Sequence, residues 1–186
     1  MLDYISALPA PAYAEHWPRR VVVLGSTGPI GCSALGVIAA QPEFFRVSAL
    51  AGGKNVKLLA EHAERWRPGH LAVQDDETRA ELKTLLSYKP DRLSGQEGYE
   101  TLAALPEADL VLSAQVGAAG LRGTMSAVLA GKVVALANKE SLVLARDLLR
   151  PALRASGAAL LPVASAHNAI FQRLPGPSSP LLPHSP

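Results

Sequence analysis

The chain has one cysteine, Cys32, in 186 residues. No internal disulfide and no cysteine-rich metal site can be built from it, which fits a reducing, cytoplasmic compartment. It also lacks a strong charge of either sign. Eighteen Lys and Arg against 16 Asp and Glu leave a net +2, too little to argue for nucleic acid or an anionic membrane as partner. No apolar run reaches the roughly 20 residues of a spanning helix. The first residues, MLDYISALPAPAYAEHW, carry an early Asp3 and no basic start before an apolar block, unlike a signal peptide. Aromatic residues are scarce, at 5%. What remains is a chain with 48% apolar residues, long enough for one α/β domain with a real core.

The most informative segment is RVVVLGSTGPIG at 20–31. Val21 to Leu24 read as a buried strand. Gly25, Gly28 and Gly31 follow at three-residue steps and open a helix at Pro29. A turn of this kind brings backbone close to a diphosphate, where free N–H groups and the helix dipole favour negative charge. The other reading is a tight turn with no ligand, because glycine-rich turns after strands occur in many folds.

Strand and helix signals then alternate. Strands are expected at Val21–Leu24, Val47–Leu50, Leu71–Val73, Leu110–Ser113, Val133–Ala137 and Ala159–Val163. Helices are expected at Pro29–Ala40, Val56–Arg65, Asp76–Tyr88, Gln96–Leu105, Leu121–Ala130 and Lys139–Ala155. Such alternation implies an α/β fold, a Rossmann-like doubly wound parallel sheet of about six strands with helices on both faces. Pro29 suits a first helical turn, and Asn55 and Asn138 are candidate N-caps. Pro151 should kink the last helix or open a second one. Residues 1–19 read as a flexible extension, 20–163 as the nucleotide-binding domain, and 176–186 as a disordered Pro/Ser-rich tail.

Strand ends carry the candidate ligands. The second strand runs into Ala51-Gly52-Gly53-Lys54-Asn55. It has no acid for ribose hydroxyls, and Lys54 suits the extra phosphate of NADP; the alternative is a solvated surface lysine. Small residues at Ala114-Gln115-Val116-Gly117-Ala118-Ala119-Gly120 let a flat ring lie on the backbone, or simply let a helix pack on a strand. Asn138, Lys139 and Glu140 stand where parallel sheets bind ligands, or form an ordinary helix cap.

Five blocks, GSTGPIG at 25–31, AGGKN at 51–55, VGAAGL at 116–121, ALANKESLV at 135–143 and LPVASAHNAIFQRLP at 161–175, closely resemble 1-deoxy-D-xylulose 5-phosphate reductoisomerase. Order and spacing match over residues 20–175, and the resemblance makes 164–175 a remnant of the start of the family's catalytic domain. The resemblance implies an NADPH- and divalent-metal-dependent, homodimeric enzyme of the non-mevalonate isoprenoid route. It would convert a phosphorylated sugar, 1-deoxy-D-xylulose 5-phosphate, to 2-C-methyl-D-erythritol 4-phosphate. By motif position, Thr27, Gly28, Pro29 and Ile30 would line the cofactor diphosphate. Gly53, Lys54 and Asn55 would hold the adenosine end and its 2′-phosphate, and Asn138 and Glu140 would also contact NADPH. Lys139 and Ser165 would contact substrate.

Departures from the family are equally specific. Its last block reads Asp-Ser-Glu-His-Asn, with Asp and Glu binding the metal. Here the residues are Ala164-Ser165-Ala166-His167-Asn168, so both carboxylates are gone, and a hard divalent cation needs charged oxygens. His167 reads as structural, since a lone histidine makes a poor magnesium or manganese site. Family members continue with a domain for the substrate phosphate, a lid and a C-terminal helical domain. The chain is therefore expected to be a truncated member, inactive alone, or a stand-alone NADPH-binding module. Pro29 replaces the usual serine and removes one N–H and one hydroxyl from the diphosphate loop.

Overall fold

The computed structural model describes residues 17–115, 117–137 and 146–163. Seven strands run parallel: β1 (Arg19–Leu24), β2 (Phe45–Ala51), β3 (His70–Val73), β4 (Asp91–Ser94), β5 (Leu110–Ser113), β6 (Val133–Leu136) and β7 (Ala159–Pro162). Their order across the sheet is β4-β3-β2-β1-β5-β6-β7. The helices between them are α1 (Pro29–Ala40), α2 (Val56–Trp66), α3 (Asp76–Leu85), α4 (Gly95–Ala103), α5 (Gly117–Leu129) and α6 (Arg146–Ser156).

The apolar run of β1 is buried because both faces of the sheet are covered. On one face Val21 and Val23 meet Leu35 and Ile38 of α1, Leu59 and Ala63 of α2, and Leu82 of α3. On the other, Val22 and Leu24 meet Tyr99 and Leu102 of α4, Val128 of α5, and Leu149 and Leu153 of α6. This is the doubly wound architecture expected from the alternation of signals. The chain leaves β1 toward β2 on one side and returns to β5 on the other, so a crevice opens at the carboxyl ends of β1 and β5.

Three features differ from expectation. The sheet has seven strands and not six: β4, with sequence DRLS, pairs only with β3 and is half-exposed along its length. An edge strand of polar residues buries too little to show an apolar run. The folded part begins before residue 20. Arg19 opens β1 at 5% exposure, Trp17 packs edge-on against Phe44 at 5.3 Å between ring centres, and the Arg19 guanidinium lies 5.0 Å from the Trp17 ring. Residues 1–16 lie outside the described residues. Finally, α6 runs through Pro151 without a break there. Leu149 and Leu153, buried on either side of the exposed proline, hold the helix against the sheet and offset the lost hydrogen bond.

Candidate cofactor site at the carboxyl edge of the sheet

The β1–α1 turn is held mainly by backbone. Gly25 has φ +87°, a conformation open chiefly to glycine. A Cβ there would lie 2.8 Å from the Ala114 carbonyl oxygen at the end of β5. At Gly31 a Cβ would stand 2.3 Å from the Gly25 oxygen. Both glycines are demanded by the fold. The Gly25 and Ser26 N–H groups donate to Ala51 O at 2.9 and 2.8 Å, and the buried Ser26 hydroxyl donates to the same oxygen at 3.1 Å. The turn after β1 is thereby tied to the end of β2.

Gly28 differs from its neighbours. Its φ is −85°, which any residue adopts, and its nearest neighbour to an added Cβ is Gly25 O at 3.4 Å. Nothing inside the protein requires glycine at this position. It is the N-cap of α1, with Pro29 in the first turn. The Cys32 N–H is taken by Gly28 O at 2.9 Å and the Gly28 N–H by Gly25 O at 3.1 Å. Ile30 and Gly31 carry the first-turn N–H groups that have no intrahelical acceptor; Pro29 has none to offer. Ile30 is 47% exposed, so this end of α1 faces outward with the positive end of its dipole. The site combines close backbone approach, orphan donors and dipole, which suits an anionic diphosphate.

The loop after β2 lies beside it. A Cβ on Gly52 would come within 3.2 Å of Thr27 Cγ2 and of Leu59 Cδ2, so the two loops touch through a glycine and a methyl. Gly53 has open space around it, and Lys54 and Asn55 are exposed. The Asn55 side chain accepts from the Leu58 N–H at 3.2 Å, the N-cap expected of it; its amide nitrogen takes no part in that bond. The charge of Lys54 contributes to holding the Asp75 carboxyl below its usual range, after the larger effect of the Thr78 hydrogen bonds. Asp75 caps α3 through the Thr78 N–H at 2.8 Å. Lys54 therefore stands as an exposed cation past the carboxyl end of β2.

Beyond β5, a Cβ on Gly120 would meet Gln115 O at 2.7 Å, and one on Gly123 would meet Leu24 Cδ1 at 3.0 Å. Those glycines let α5 settle on the sheet, so close packing explains them. Ser113 and Thr124 share a buried hydrogen bond of 2.8 Å, and Thr124 donates to Gly120 O at 2.7 Å. Asn138, Lys139, Glu140 and Ser165, together with Ala164, Ala166 and His167, lie outside the described residues. The structure thus brings Thr27, Gly28, Pro29, Ile30, Gly53, Lys54 and Asn55 to one edge. It adds Tyr99, which sequence reading did not single out: its hydroxyl reaches the Gly52 carbonyl from 47 positions away.

The family model of 1-deoxy-D-xylulose 5-phosphate reductoisomerase matches residues 21–146, more than half of the chain. The chain belongs to that family. The reductoisomerase of Oleidesulfovibrio alaskensis is 60% identical over 178 residues, covering 95% of this chain and 44% of the relative. That of Lawsonia intracellularis is 54% identical, with 94% and 44% covered. Among solved structures, the reductoisomerase of Zymomonas mobilis in complex with NADPH superposes with a TM-score of 0.81 at 42% identity, over 85% of this chain and 42% of the other. A reductoisomerase in complex with NADPH, fosmidomycin and magnesium gives 0.82 at 39% identity, over 85% and 39%. The chain spans 44% of the length of these curated relatives.

Proposed function

We propose that residues 20–163 form an NADPH-binding domain and that the chain serves the family's reaction through it. That reaction is the rearrangement and reduction of 1-deoxy-D-xylulose 5-phosphate to 2-C-methyl-D-erythritol 4-phosphate. The observation that carries the reading is the contrast among the three glycines. Gly25 and Gly31 are required by the fold, whereas a Cβ on Gly28 would meet only ordinary contact. A ligand pressed against the backbone accounts for glycine at 28 where packing does not.

Thr27, Gly28 and Ile30 would surround the diphosphate, with the Ile30 and Gly31 N–H groups as donors and Pro29 fixing the helix start. Gly53 gives room for the adenosine, Asn55 flanks it, and Lys54 would meet the 2′-phosphate. The resemblance adds Asn138 and Glu140 on the cofactor and Lys139 and Ser165 on the substrate. The bound nicotinamide supplies hydride. The homodimer of the family is carried over as part of the same proposal, as is a cytoplasmic location. Among the described residues no helix is long and apolar enough to cross a membrane.

A divalent metal is a different matter. The side chains of Ala164 and Ala166 offer no oxygen where the resemblance puts carboxylates, and a hard divalent cation needs charged oxygen ligands. Among the described residues no group of three or more His, Cys, Asp or Glu side chains could hold an ion. These residues do not fit a metal. For the 186 residues by themselves, the two alanines favour a second description: a dinucleotide-binding module without turnover.

Calorimetric titration with NADPH in magnesium and in EDTA separates the two readings. Equal affinity in both, with no oxidation of NADPH when 1-deoxy-D-xylulose 5-phosphate is added, supports the module. Magnesium-dependent turnover restores the full enzymatic reading. Absence of NADPH binding overturns both.

A further inference from the structure

Tyr99 belongs to α4, in the helix layer opposite α1 and α2. Its hydroxyl donates to the Gly52 carbonyl at 2.9 Å, and the residue is 6% exposed. The Gly52 N–H donates to Ala72 O at 3.0 Å. The peptide groups on both sides of Gly52 are therefore fixed, one by β3 and one by a phenol. One residue later Gly53 has no neighbour within reach of an added Cβ. Past Gly52 the loop has few internal restraints until Val56 N–H donates to Lys54 O at 3.0 Å and α2 begins. The direction in which Lys54 leaves the sheet is set at Gly52.

The close seat of α4 makes this contact available. A Cβ on Gly98 would stand 2.9 Å from Leu93 Cβ and 3.2 Å from the Leu93 carbonyl carbon, so glycine at 98 lets the helix lie directly on β4. Tyr99 then packs in the core with Ala49, Ala51 and Leu102. Burial, and secondarily the charge of Asp75, push its phenol up to about 12. It is a neutral donor through the neutral pH range.

We propose that Tyr99 is a positioning residue for the cofactor's 2′-phosphate: by holding the Gly52 carbonyl it fixes the path on which Lys54 is presented. The proposal rests on the NADPH reading given above. The diphosphate cradle, tied through Ala51, does not depend on it.

The test compares the parent chain with Tyr99→Phe, which keeps the ring and removes the hydroxyl. Loss of one hydrogen bond of ordinary strength should weaken NADPH about five- to ten-fold and leave NADH within about two-fold. The NADPH-to-NADH preference falls accordingly. Amide hydrogen exchange in the absence of ligand should quicken at Gly52, whose N–H is bonded to Ala72 O, and stay unchanged in β1. Gly98→Ala, which lifts α4 without altering the phenol, should move the preference the same way. An equal loss of both dinucleotides, no loss of either, or unchanged exchange at Gly52 overturns the proposal. A parent chain that binds neither dinucleotide contradicts the NADPH reading itself, and the exchange comparison still decides whether Tyr99 fixes the loop.

Discussion

Gly28→Ala and Gly31→Ala place the same methyl three residues apart in the same turn, with opposite expectations. At Gly31 the added Cβ would lie 2.3 Å from Gly25 O and 2.7 Å from Ser26 Cα, all backbone. The turn must open to admit it, and overpacking of this kind costs about 1–3 kcal/mol. At Gly28 the nearest atom is 3.4 Å away and φ is −85°. Alanine is a poorer N-cap than glycine, so a loss of a few tenths to about 1 kcal/mol follows, at most roughly 2–4 °C in Tm for a domain of this size. Binding should reverse the order of severity relative to stability. A methyl at 28 holds the diphosphate off the Ile30 and Gly31 donors. One hydrogen bond to a charged group is worth about 1.5–3 kcal/mol, so NADPH should weaken ten-fold or more while the fold stays nearly intact. Thermal melts and calorimetric titration of the two variants give both quantities. If Gly28→Ala binds NADPH as the parent does, the backbone at 28 does not face the diphosphate and the glycine contrast loses its meaning.

Pro29→Ser returns an N–H and a hydroxyl to the diphosphate loop and should tighten NADPH by up to about ten-fold; equal or weaker affinity in paired titrations rejects this. Lys54→Ala should cost NADPH about ten-fold and leave NADH unchanged, since only the 2′-phosphate loses a charged partner; parallel losses would make Lys54 a solvated surface lysine. Stability should fall as pH rises from 10 toward 12. The Tyr99 and Tyr88 phenols are raised to about 12 in the folded chain, in both cases mainly by burial. Between those values the folded state binds more protons than the unfolded one, with a slope of up to about 1.4 kcal/mol per pH unit from buried Tyr99. Denaturant titrations across that range, with tyrosinate absorbance alongside, check the sign. In acid the carboxyls of Glu64 and Asp75, held low chiefly by hydrogen bonds from Ser87 and Thr78, contribute stability that is lost as pH falls below the ordinary carboxylate range.

Much of the fold is legible in the sequence where burial on both faces leaves an unbroken apolar run, as in Val21–Leu24 or Val133–Leu136. It is illegible where the same geometry meets solvent. Strand β4 is made of Asp91, Arg92, Leu93 and Ser94, and only its pairing with β3 makes it a strand. Helix α5 starts at Gly117, four residues before the expected Leu121. Glycine weakens a helical signal, yet Gly120 and Gly123 are what let that helix approach Gln115 and Leu24. The glycine turn shows the same division. Spacing alone left a ligand and an empty turn both open, and only the surroundings of each Cβ tell Gly28 from Gly25 and Gly31. Tyr99 carried no signal at all. A tyrosine in an amphipathic helix reads as core, and its bond to Gly52 exists only because the sheet brings α4 under the end of β2.

The most direct test of the account is the affinity of the parent chain for NADPH against NADH, measured by titration under one set of conditions. A cofactor domain with Lys54 at the end of β2 and no acid there should prefer NADPH by about ten-fold or more. Equal affinities, or a preference for NADH, would contradict it.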